Sequence, residues 1–67
     1  MANRIPRNFK SITATALCGS QKGHTFRITK HIYDGYHAED VQTRKVWTTF
    51  ISHLRNENFY KIKEIEI

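Results

Sequence analysis

Ile12, Ala14, Ala16 and Cys18 alternate with Ser11, Thr13, Thr15 and Leu17, and the five residues Gly19-Ser20-Gln21-Lys22-Gly23 follow at once. Period-two alternation places small apolar side chains on one face of a strand. Glycines at both ends of the next segment permit the positive φ angles of a hairpin connection. A β-hairpin at the start of the chain is thus the first constraint on the fold. Its second strand is expected over residues 24–33, with Phe26, Ile28 and Ile32 on one face and Thr25, Arg27, Thr29, His31 and Tyr33 on the other.

With 67 residues and Cys18 as the sole cysteine, no internal disulfide or multi-thiolate zinc site is available. A chain this short buries only about 60% of the surface its unfolded form exposes, so its apolar residues must supply most of the stability. The alternation puts Cys18 on the buried face as a small apolar side chain.

Asp34-Gly35 is a turn signal that closes the second strand. A helix is expected next, with His37 at its N-cap and Glu39 and Asp40 in its first turn, where carboxylates favour the helix dipole. Val46, Trp47, Phe50, Ile51 and Leu54 form a stripe at i, i+3, i+4 and i+7 offsets, opposite Gln42, Lys45, Thr49 and Ser52. That stripe reads as a helix packed on the core. Either Asn56 or Asn58 would end it in the left-handed conformation.

The last strand is expected over residues 59–67, beside the first, with Ile62 out of phase with Ile65 and Ile67 and a bulge resolving the conflict. The expectation is an α+β domain over residues 9–67, β-β-α-β. Its three-stranded antiparallel sheet has order 2-1-3 and carries one helix on one face. Residues 1–8, with two arginines and no periodicity, read as a flexible basic arm.

Charge is polarised along this chain. Six bases precede the first acid, Asp34, whereas six acids and five bases follow from there on, so the net charge of +5 comes from the first half. A polyanion or an acidic protein surface is the implied partner. The candidate contacts are Arg4 and Arg7 on the arm, Lys22 at the hairpin tip, and Arg27, His31 and Tyr33 on the outer face of the second strand, with Lys30 at its border. Cations provide salt-sensitive affinity for phosphates and exposed aromatics stack on bases.

Catalytic residues are not expected. Four histidines are scattered without zinc spacing, no acid pair stands out, and Gly19 and Gly23 bracket a turn instead of a phosphate loop. Neither cofactor nor metal is implied. No apolar run approaches the roughly 20 residues of a membrane span, and a cytoplasmic protein is expected.

Phe26-Arg27-Ile28-Thr29-Lys30, Ala38-Glu39-Asp40-Val41 and Ile62-Lys63-Glu64-Ile65 resemble archaeal LX-type ribosomal proteins, which implies RNA binding. The element order, with Tyr36-His37-Ala38-Glu39 at the helix start, resembles small phage-encoded inhibitors of host machinery of the RNA polymerase inhibitor or anti-CRISPR type. That resemblance implies a non-enzymatic accessory protein docking on a host nucleic-acid-handling complex. Direct RNA or DNA binding is the alternative, and a homodimer through edge-strand pairing is a third reading.

Overall fold

A computed structural model describes residues 3–6, 8–30 and 35–67. The chain forms five strands and one short helix: β1 (Ser11–Ala16), β2 (Thr25–Lys30), β3 (Tyr36–Asp40), β4 (Val46–Thr49), α1 (Ile51–Arg55) and β5 (Tyr60–Glu66). All strands join one antiparallel sheet in the order β4-β3-β2-β1-β5. The expected three-stranded sheet with a packed helix is therefore overturned. Segments 36–40 and 46–49, assigned to the helix by their spacing, extend the sheet by two strands.

The physical reason lies in the residues themselves. Val46, Trp47, Thr48, Thr49 and Phe50 are β-branched or aromatic, which suits a pleated surface better than a helix. Of the apparent stripe, Val46, Trp47 and Phe50 are exposed, Ile51 is half-buried, and only Leu54 lies fully in the core. The helix is a short segment that starts after Phe50, which has extended φ and ψ and makes no side-chain cap. It ends at Asn56 with φ −79° and ψ 109°, not in the left-handed region. Asn56 instead accepts from Asn58 N–H through Oδ1 at 2.9 Å, and its carbonyl accepts from the N–H groups of Phe59 and Tyr60. This turn reverses the chain into β5.

Register creates the core. Ile65, Ile12, Ile28, Ala38 and Trp47 are successive cross-strand partners over all five strands, and Ile62, Ala14, Phe26 and Asp40 form the adjacent row. Phe9, Ile12, Ala14, Ala16, Phe26, Ile28, Ala38 and Leu54 are buried together. Phe9 stacks on Tyr36 with centroids 5.6 Å apart, so it closes the core instead of forming an exposed patch.

The conflict of phase in β5 is resolved by a bulge. Thr13 pairs with Glu64 but Ala14 pairs with Ile62, which leaves Lys63 as the extra residue and allows both isoleucines to face the core.

β-Sheets twist and coil, and here Trp47 of β4 and Tyr60 of β5 each bring a ring to Phe26 in the central strand, at 5.6 Å and 6.2 Å between centroids. This curl, together with α1, leaves a concavity.

Deletion of Lys63 removes the bulge while keeping Ile62 opposite Ala14 and Ile65 opposite Ile12, so the melting temperature should move by less than about 5 °C. Deletion of Thr15, for which β1 has no spare residue, should abolish cooperative unfolding in the same circular-dichroism melt. Leu54→Ala should cost about 2–5 kcal/mol in urea denaturation, the range for a large-to-small change in a packed core.

Candidate functional site

The proposed contact residues do not converge. Arg27 is exposed on the outer face, where its cross-strand partners are Thr13 on one side and Glu39 on the other. Glu64 continues the same row beyond Thr13, and Arg44 Nη1 lies 3.8 Å from Glu39 Oε2. That face is charge-balanced. Lys30 points to the opposite side, with Nζ donating to Asn8 Oδ1 at 3.3 Å and lying 6.0 Å from the Phe9 ring centroid.

Lys22 is exposed on the β1–β2 loop. It lies beyond the end of β2 opposite to Lys30, and six residues of strand separate those ends by roughly 17 Å. Arg4 is exposed beside Asn3, whose side-chain amide donates to the carbonyls of Leu54 at 3.0 Å and Tyr60 at 2.9 Å. Arg7, His31 and Tyr33 lie outside the described residues, as does Asp34 of the expected turn.

The concavity is the more organised feature. It has a volume of about 280 Å³, and its walls come from β4, α1, the start of β5 and the β1–β2 loop. Trp47, Phe26 and Tyr60 form one aromatic group within it. A second group follows the rim, where His53 packs edge-on against Phe50 at 6.0 Å and Phe59 at 5.6 Å. Trp47, Phe50 and Phe59 are 36%, 50% and 37% exposed, which leaves large rings open to a ligand. Cys18, Gln21, Thr48 and Thr49 complete the polar part of the wall, and among the described residues no carboxylate lines it.

Cys18 is thus exposed in the cleft and not buried with Ile12, Ala14 and Ala16. The cause is local, because β1 stops at Ala16, whose carbonyl accepts from Gly23 N–H at 2.9 Å as the chain turns. The pattern of alternation continued two residues beyond the strand. Trp47, His53 and Phe59 were hidden from a reading of the sequence because helical spacing assigned the first to the core and the polar break at residues 55–58 separated the others.

The loop that carries Cys18, Gln21 and Lys22 is held in place by a buried ion-pairing contact. Asp40 was expected in a helix's first turn; it is instead the fully buried last residue of β3. His24 Nδ1 donates to its Oδ2 at 2.6 Å, while Oδ1 accepts from the N–H groups of Gln42 at 2.9 Å and Thr43 at 3.3 Å. The Asp40 backbone also closes the β3–β4 turn, accepting from Arg44 N–H and donating to the Lys45 carbonyl. Arg44 takes the left-handed φ of 66° that this four-residue loop needs.

Burial by itself would raise the Asp40 carboxyl pKa. The hydrogen bonds from His24, Gln42 and Thr43, together with the attraction of the imidazole, outweigh it and hold the group below the usual carboxylate range.

Among the described residues no group of three or more His, Cys, Asp or Glu side chains lies together as a metal site, and no helix is long and apolar enough to cross a membrane. No protein-family model, curated protein or solved structure matches the chain. Function is therefore argued from the cleft itself.

Because the folded-state pKa of Asp40 is lowered, its ionised form stabilises the fold fully above the unfolded value of about 3.9. That contribution is lost as pH falls through the lowered folded value. Melting temperatures should drop steeply below about pH 4. Asp40→Asn should lower stability at pH 7 and flatten the acid limb, as read from melts across the pH range.

Proposed function

We propose that this protein is a non-enzymatic module that binds single-stranded nucleic acid, taking bases into the aromatic cleft while surface cations meet the phosphates. One observation carries the reading: two groups of aromatic rings surround a concavity that no carboxylate among the described residues lines, in a chain of net charge +5. Base–aromatic stacking contributes about 1–3 kcal/mol per base, and cationic surroundings add salt-dependent attraction for the backbone.

The distribution of acids supports the same surface. Asp40 is buried and bonded to His24, and Glu39 and Glu64 belong to the outer-face row that contains Arg27. Lys22 adjoins the lining residue Gln21 in the chain. Among the described residues the cleft lining itself therefore presents no acid to an anionic ligand, while Glu57 lies exposed in the turn that leads to Phe59 on the rim. An acidic groove on a host complex would attract the same cations, but it would make less use of exposed rings than unstacked bases do.

The test is fluorescence anisotropy with labelled single-stranded oligonucleotides. Affinity should fall steeply between about 50 and 200 mM salt, and Trp47→Ala and Phe59→Ala should each weaken it by about 1–3 kcal/mol. At about 150 mM salt, where screening acts over about 8 Å, Arg27→Glu on the opposite face should cost much less. A larger loss from Arg27→Glu than from Trp47→Ala would move the interface to the outer face; absence of binding would favour an acidic protein partner.

A further inference from the structure

We infer that the cleft admits an unstacked base and that Gln21 reads its polar edge, which gives this protein a base preference. The inference rests on the nucleic-acid reading above and adds a specificity residue to it.

At about 280 Å³ the cavity, near the lower end of the range of about 300–1,000 Å³ typical for drug-sized ligands, has room for a planar base. The rings of Phe26, Trp47 and Tyr60 offer apolar contact but no sequence information, since every base has a π-face. Discrimination needs a group that both donates and accepts.

Gln21 is that group. A side-chain amide presents two N–H donors and a carbonyl acceptor, the complement of a base edge that shows a donor beside an acceptor. Gln21 lines the cleft and is half-buried, and its side chain makes no hydrogen bond among the described residues. Thr49 is buried, Cys18 is a weak donor and acceptor, and the Thr48 and Tyr60 hydroxyls and the His53 ring do not set a donor group and a carbonyl acceptor side by side as an amide does. A base in the cleft would find in Gln21 an amide whose polar atoms are still unpaired.

The backbone beneath Gln21 is fixed in advance. Its carbonyl accepts from His24 N–H at 2.9 Å, Lys22 N–H bonds the Gly19 carbonyl at 3.2 Å, and Gly19 and Gly23 hold φ of 84° and 87°. His24 then ties this loop to Asp40 on β3. Binding therefore orders few backbone torsions.

Trp47 is the only tryptophan and lies in the cleft, so its fluorescence reports occupancy. The wild-type protein should be quenched by short homopolymers of deoxyadenosine, deoxycytidine and thymidine with affinities that differ by roughly tenfold, as one bidentate contact allows. Gln21→Ala, at a loop position outside the core, should bring the three affinities to within about twofold by weakening the preferred homopolymer. Equal affinities in the wild type, or an undiminished spread in Gln21→Ala, would overturn the role of Gln21 while leaving base stacking in place. Absence of Trp47 quenching by every homopolymer would overturn the nucleic-acid reading, and this inference with it.

Discussion

The buried carboxylate of Asp40 is the contact on which the arrangement of the two hairpins depends. One oxygen accepts from His24 at the start of β2, and the other accepts the N–H groups of Gln42 and Thr43 in the β3–β4 turn. A charge in the interior is costly unless every lone pair is used. Here it is well used, and no buried side-chain nitrogen or oxygen among the described residues lacks a partner. The same group thus closes one turn and anchors the loop of the other, which holds Gln21 and Cys18 at one wall of the cleft while β4 supplies Trp47 at another.

A sheet that curls around a small core gains apolar contact from both of its outer strands. Ile12, Ile28 and Leu54 are completely enclosed, whereas the rings of Trp47 and Tyr60 reach Phe26 from opposite sides. The domain is too small to cover all its aromatic surface, and the remainder collects at the concavity between β4 and β5. Core and cleft consequently share residues: Phe26 is core to the sheet and floor to the cleft. The outer face carries paired charges that interact weakly in water.

Parts of this architecture were legible before any coordinates. The hairpin between β1 and β2 followed from strict alternation and two glycines, and the mismatch of Ile62 with Ile65 pointed to the bulge now seen at Lys63. The region from Tyr36 to Leu54 was not legible. Its apolar residues satisfy helical spacing, yet Val46, Trp47 and Phe50 gain little burial from it, and pairing with β3 satisfies the backbone of β4 instead. The candidate surface moved for a related reason: Arg27 looked like part of a basic face until register set Glu39 beside it.

By itself the sequence determined the strand faces of Ile12, Ala14, Ala16, Phe26 and Ile28, the first turn, the need for a bulge and the excess of positive charge. These are local properties, governed by side-chain alternation, backbone freedom at glycine and the count of ionisable groups. Only the tertiary structure decided the number of strands, the burial of Asp40 beneath His24 and the meeting of Trp47, Tyr60 and His53 around one cleft. Those outcomes join residues far apart in the chain through register and curl. No periodicity within a single segment encodes them, because each depends on which other strand lies beside it.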